Sequence, residues 1–255
     1  MLGPYNIVDV ILRDVVSRGS LVKQAIRKVK GPVQHADHRL LLYKSYNPLL
    51  VQRDFAELLP ENQLRLDIKE TESSTFDLHK VRDGRFFMFR DKYLLQFASR
   101  LGLRSYLRST EHTFLDERIL GLKEPGDKIL YDYAVYQRNL KAAFTSQKAY
   151  EEALHTEPEK VEDITAHLST SPGVKDIEAK SVLVWDFPSN FTSEDIKATY
   201  WWYGIKTCFK LYSDETNGKT LTYLAFYDNE EASKFTLNMH GAFSADGKAL
   251  LVEAL

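Results

Sequence analysis

The segment SVLVWDFPSNFTSEDIKATYWWYGIKTCFKLYSDETNGKTLTYLAFYDNEEASKFTLNMHGAFSADGKALLVEAL, residues 181–255, carries the clearest pattern in the chain. VLVWDF at 182–187 is a strand ended by Pro188, and SEDIKATYWWYG at 193–204 is a helix. Thr192 or Ser193 can cap that helix, Asp195 suits the positive end of its dipole, and Gly204 closes it. KTCFKLY at 206–212 is a second strand, and DETNG at 214–218 turns into a third, LTYLAFY. DNEEASKFTLNMHG at 228–241 is a second helix, and KALLVEAL at 248–255 a fourth strand. The order β-α-β-β-α-β predicts a four-stranded sheet with both helices on one face.

That order, with the residues at two of its strands, resembles the RNA-recognition motif (RRM) family over 181–255. Val182, Leu183, Val184, Trp185, Asp186 and Phe187 occupy the family's first-strand motif, and Lys219 to Phe226 its third-strand motif. The resemblance implies an RNA-binding sheet whose exposed side chains stack on bases. Here the stacking positions hold Leu183, Leu221 and Tyr223, with Trp185 on the same face as Leu183 by strand alternation. Trp185 and Tyr223 are therefore the expected base-stacking residues, beside Leu183 and Leu221, with Lys210 and Lys219 as phosphate contacts. VLVWDFPSNFTSEDI also looks like the atypical RRM of poly(A)-specific ribonuclease. The nuclease half of that family needs an Asp-x-Glu on a strand, which this chain does not supply.

Upstream, residues 1–155 read as a mainly helical domain with basic patches and short strands, and 156–180 as a linker. The expected fold class is α+β, a mainly helical amino-terminal domain followed by the β-α-β-β-α-β sandwich. Ile7, Ile11, Leu12, Val15 and Val16 recur at spacings of three and four, and LVKQAIRKVK follows, giving two short helices or one kinked one. LRLDIKE and GRFFMFR, within 63–90, read as strands. DKYLLQFASRLGLRSYLR at 91–108 reads as a helix interrupted at Gly102, and 129–154 as one long helix.

Charge separates the two parts. Residues 1–180 hold 28 basic and 26 acidic side chains, whereas 181–255 hold 6 and 10, within a formal net charge of -2. A globally basic nucleic-acid coat protein is excluded, but local patches remain. One lies around Lys23, Arg27 and Lys28. A second includes Arg82, Arg85 and Arg90 and continues to Arg100, Arg104 and Arg108, the last three at every fourth residue. Both are candidate phosphate-binding stripes.

Other chemistry is poorly represented. A single cysteine, Cys208, excludes an internal disulfide and a thiolate-rich metal cage, and fits a reducing compartment, nucleus or cytoplasm. No run approaches the roughly 18 apolar residues of a membrane span. Phosphate-loop, zinc-protease and nucleophile-elbow motifs are all missing, so no cofactor, metal or catalytic residue is expected. Trp201 and Trp202, adjacent on the first helix of the RRM-like segment, cannot share one buried face and are read as a partner-binding site. The sequence thus predicts a non-enzymatic protein that binds single-stranded RNA through an atypical RRM and amino-terminal basic patches. Its alternative is a protein-interaction adaptor that uses the RRM fold to assemble a ribonucleoprotein or RNA-processing complex.

Overall fold

The computed structural model describes residues 39–59, 76–156, 172–214, 216–244 and 246–255. Lys23, Arg27, Lys28, the helices read before residue 30 and the LRLDIKE strand lie outside them. All described residues fall within one compact unit, 39–255.

Its first layer is an antiparallel sheet, in the order β1-β3-β2, of β1 (Leu40–Lys44), β2 (Phe76–Arg82) and β3 (Phe89–Phe97). Tyr93, Leu95 and Phe97 alternate along β3 to one face, where they join Phe55 of α1 (Gln52–Ala56) and Tyr106 of α2 (Arg100–Ser109). Leu94 points to the other face, into a second cluster. Residues 91–97 are therefore strand, not helix, because a strand buried on both faces carries a continuous apolar run without the alternation that identifies it. Gly102 does not interrupt α2; its N–H bonds the Ser99 side chain, which caps the helix at 3.0 Å.

A short hairpin, β4 (Phe114–Leu115) with β5 (Arg118–Ile119), leads to α3 (Asp127–Thr145) and α4 (Gln147–His155). The single helix expected over 129–154 is broken at Ser146, whose extended backbone (φ -169°) lets its hydroxyl accept the Ala149 N–H and cap α4. α5 (Pro172–Ala179) then packs on α3.

The carboxyl-terminal part is the expected sandwich: β6 (Ser181–Trp185), α6 (Ser193–Thr199), β7 (Ile205–Asp214), β8 (Lys219–Phe226), α7 (Asn229–Met239) and β9 (Leu251–Ala254). Its antiparallel sheet has the order β7-β8-β6-β9. Val182, Val184, Leu224 and Phe226 face α6 and α7, meeting Ile196 and Phe235. Thr192 caps α6 through a reciprocal pair with Asp195. α6 ends at Thr199, so Trp201 and Trp202 stand in the turn beyond it rather than on the helix.

The opposite face of this sheet is also covered. Leu183, Phe209, Leu221, Tyr223 and Ala225 form one core with Leu130, Tyr133, Tyr136, Leu140 and Ala143 of α3, Tyr150 of α4, Val174 of α5 and Phe87 of the β2–β3 turn. α3 contacts both β2 and β7, and so lies between the two sheets. This explains why its buried residues span a stripe wider than a one-sided helix requires. Upstream of β6 the described residues form five helices and five strands, with more residues in helix than in strand, and α1 and α2 cover the face of the three-stranded sheet that points away from α3.

Candidate functional site

Base stacking requires an aromatic ring with a free face. On β8 the ring of Tyr223 is fully buried, 5.6 Å from Phe87, 5.4 Å from Phe209, and hydrogen-bonded through its hydroxyl to Ser181 Oγ at 2.9 Å. Burial raises its hydroxyl pKa well above the ordinary value. Leu183 and Leu221, at 0% and 1% exposure, lie in the same core. Trp185, at the margin, is partly covered. The expected stacking platform of Leu183, Trp185, Leu221 and Tyr223 is thus an internal interface here. The physical reason is composition: leucines at stacking positions make the face apolar enough to be covered by the rest of the chain.

The covering element is built by the β2–β3 turn. Asp83 Oδ1 accepts the N–H groups of Arg85 (2.8 Å) and Phe86 (2.7 Å), which closes the turn. Burial pushes the Asp83 carboxyl up, but these hydrogen bonds and Arg90 outweigh it and hold it below the usual carboxylate value. Phe87 follows with φ 59°, an unusual left-handed conformation for a bulky residue. Its ring enters the sheet face and meets Tyr136 at 6.0 Å, Tyr150 at 5.6 Å and Tyr223 at 5.6 Å, all edge to face. Arg82 fastens the turn to the sandwich: its Nη1 donates to Glu253 Oε1 at 2.8 Å and Phe87 O at 2.9 Å, and its Nη2 to Ala254 O at 3.1 Å.

The expected lysine contacts divide. In the strand register Lys210 pairs with Thr222, which pairs with Val184, so Lys210 belongs to the helix-covered face. Its Nζ is held by Ser189 O at 2.6 Å, and it is not placed beside Tyr223 to meet a phosphate. Lys219 stands exposed at the start of β8.

Positive charge is displayed elsewhere. Because α2 is continuous, Arg100, Arg104 and Arg108 form one exposed stripe. Arg104 and Arg108 border a groove of about 590 Å³ that also includes Leu107, His112 and Ile119. Arg82, Arg85 and Arg90 line a second cleft of about 410 Å³ with Arg138 of α3. Sequence spacing groups Arg82, Arg85 and Arg90 in one patch, and the fold adds Arg138 to them.

Trp201 and Trp202 are 75% and 54% exposed, with ring centroids 6.0 Å apart. Both project from the fold, beyond the one that helical spacing required. Cys208 is buried, and burial pushes its thiol up to about 12. Among the described residues there is no group of three or more His, Cys, Asp or Glu side chains able to hold a metal, and no helix long and apolar enough to cross a membrane.

Residues 37–138 match the family described as Protein PET54 N-terminal domain. Protein PET54 of Saccharomyces cerevisiae (strain ATCC 204508 / S288c) is 34% identical over 223 residues, covering 84% of this chain and 75% of the relative. Protein PET54 of Saccharomyces bayanus is 33% identical over 215 residues, covering 81% of this chain and 72% of the relative. Among solved structures, the RRM3 domain of Mip6 aligns with 20% identity over 30% of this chain and 93% of that chain, with a TM-score of 0.28. The RRM3 domain of Pes4 aligns with 22% identity over 30% and 90%, with a TM-score of 0.26.

Proposed function

The chain belongs to the PET54 family, and from that premise we propose that it is a non-enzymatic, RNA-associated protein that holds single-stranded RNA by phosphate contacts on exposed arginines. The family relation supports the non-catalytic, RNA-associated role. The observation that carries the mode of binding is the pairing of a covered sheet face with an exposed arginine stripe. Tyr223 has no free ring face, whereas Arg100, Arg104 and Arg108 are exposed on α2, the last two beside a groove. Affinity then comes mainly from counterion release, with Lys219 as an outlying contact.

Fluorescence anisotropy of labelled single-stranded RNA, titrated with the full chain at several salt concentrations, tests this reading. The triple variant Arg100→Gln, Arg104→Gln, Arg108→Gln keeps the helix-forming character of α2 and removes three cations. If each meets one phosphate, the slope of log affinity against log salt becomes shallower by about 2. An unchanged affinity and slope in a folded triple variant would sink the α2 assignment.

A second reading is favoured by the two exposed tryptophans: the sandwich also serves as an adaptor, with Trp201 and Trp202 inserting into an apolar cleft of a protein partner. Large exposed aromatics of this kind are enriched at interface centres. Replacing both by serine disrupts such a complex and leaves RNA affinity intact.

A further inference from the structure

Between β2 and β3 the sequence RDGRFFMFR, 82–90, supplies three arginines within one tight turn. The turn can sit against α3 only because residue 84 is glycine: a Cβ there would come within 2.8 Å of Val135 Cγ1. Gly84 O accepts a hydrogen bond from Asn139 Nδ2 at 2.7 Å, which fixes the turn against the helix. One helical position earlier, Arg138 donates from Nη2 to Ala153 O at 2.8 Å and from Nη1 to Thr156 O at 3.0 Å, holding the end of α4 in place. These contacts wall the cleft of about 410 Å³ with Arg82, Arg85, Arg90 and Arg138, and Tyr131 adds an exposed ring. That volume is within the ordinary range for small-molecule sites.

The arginines are not equally engaged. Arg82 is committed to Glu253, and Arg90 pairs with Asp83, one of two carboxylates in the lining, the other being Asp132. The guanidinium of Arg85 rests 5.1 Å from the Phe86 ring centre and has no carboxylate partner among the described residues. Within the cleft wall, Arg82 Nε is a buried donor with no hydrogen-bond partner among the described residues. With Glu253 counted beside Asp83 and Asp132, four guanidinium groups face three carboxylates at this concave site, leaving an excess of one positive charge. Planar, always-charged guanidinium groups match a phosphate with paired N–H donors, as a single ammonium cannot.

We propose that this cleft binds the phosphate of a nucleotide, with Arg85 as its principal partner and Tyr131 against the attached base. The proposal rests on the RNA reading above only for the carrier of that phosphate. The group belongs either to an RNA strand or to a free nucleotide, and the recognition chemistry is the same for both.

The full chain is titrated with adenosine 5′-monophosphate, adenosine and inorganic phosphate by calorimetry, and with a single-stranded RNA oligomer by anisotropy, alongside Arg85→Gln and Tyr131→Ala. Both substitutions lie at exposed positions, so the fold is retained, and thermal melting checks this. The monophosphate binds and adenosine does not, and Arg85→Gln weakens the monophosphate about ten-fold. If RNA enters the cleft, Arg85→Gln also makes its salt slope shallower by about 0.7, and monophosphate competes with RNA. If only the monophosphate responds, the carrier is a free nucleotide and the site stands. Nucleotide binding that depends on Arg85, with no RNA binding by the wild type, supports the cleft and sinks the RNA reading. Conversely, RNA binding by the wild type, with no response of any phosphate ligand or RNA to Arg85→Gln, overturns the cleft and leaves the α2 reading in place.

Discussion

Phe87 offers the sharpest test of how the sheet face is closed. Its side chain is fully buried and touches three tyrosine rings at 5.6–6.0 Å. Truncating a buried phenylalanine to alanine costs about 3–5 kcal/mol, and loss of three edge-to-face contacts places Phe87→Ala in the upper part of that range. The backbone adds a second effect. At φ 59° an L side chain is strained by about 1–2 kcal/mol, and alanine inherits that strain while glycine does not. Glycine also gains about 0.5–1 kcal/mol of unfolded-chain freedom, which opposes the relief. Phe87→Gly is therefore as stable as Phe87→Ala or up to about 1.5 kcal/mol more stable, the reverse of the usual order in regular structure. Urea unfolding of the full chain, followed by tryptophan fluorescence and far-UV circular dichroism together, measures both differences. A loss below about 1 kcal/mol in Phe87→Ala would refute the plug. A glycine variant less stable than the alanine variant by 1 kcal/mol or more would refute the left-handed turn.

Three further outcomes follow from the same geometry. Glu253→Ala leaves the buried Arg82 guanidinium without its carboxylate and costs about 2 kcal/mol in urea unfolding, a figure reduced because Glu253 is 40% exposed; a loss under 0.5 kcal/mol would show that the strap from the turn to β9 contributes nothing. Burial, with Lys175 nearby, pushes the His79 imidazole down to about 4. Between pH 6.5 and about 4 the unfolded chain therefore takes up a proton that the native chain refuses, so stability falls by about 3 kcal/mol as pH drops through that window. The His79→Gln variant flattens the profile there, and an unchanged profile would remove His79 as its cause. Buried Cys208, with its thiol pushed up to about 12, resists a soluble thiol reagent under native conditions and reacts at the rate of sheet opening; immediate stoichiometric labelling would contradict its placement.

The sandwich was legible because short β-branched and aromatic runs are separated by turn and capping residues such as Pro188 and Gly204. Val182 and Val184 alternate with Leu183 along β6, and Thr192 with Asp195 marks the start of α6 by side-chain chemistry alone. Residues 91–97 misled because Leu94 and Leu95 are both buried, on opposite faces, and an apolar run without alternation is shared by helices and two-sided strands. The break at Ser146 is a local capping choice within a sequence whose periodicity continues on either side. At the site, the leucines at positions 183 and 221 did signal a greasy face, yet the identity of its cover required Phe87, Tyr136 and Tyr150 to be brought together from three elements. Arg85 and Arg138 meet for the same non-local reason, through a glycine whose close approach to Val135 no spacing rule would reveal.

An RRM-like sheet whose second face is internal changes what an RNA-associated role can consist of. Phosphate contacts position a strand but carry no sequence information, which requires base edges or stacked rings. On the fold's usual reading surface Tyr223 is unavailable, and opening that surface would expose Leu183, Leu221, Phe209 and the tyrosines of α3 and α4 together. At about 25 cal/mol per Å² of apolar area, uncovering so many large side chains would cost far more than the about 1–3 kcal/mol that each stacked base returns. A closed face is thus the stable arrangement with or without RNA. Under the proposed function the arginine stripe on α2 then supplies affinity that is broad in sequence and steep in salt. Discrimination then falls to Tyr131, an aromatic group outside the closed face that adjoins a cationic cleft; the exposed Trp201–Trp202 pair does not line it. That asymmetry separates their roles, since a ring beside guanidinium groups suits a nucleotide, whereas two exposed indoles at the end of α6 suit an apolar protein surface.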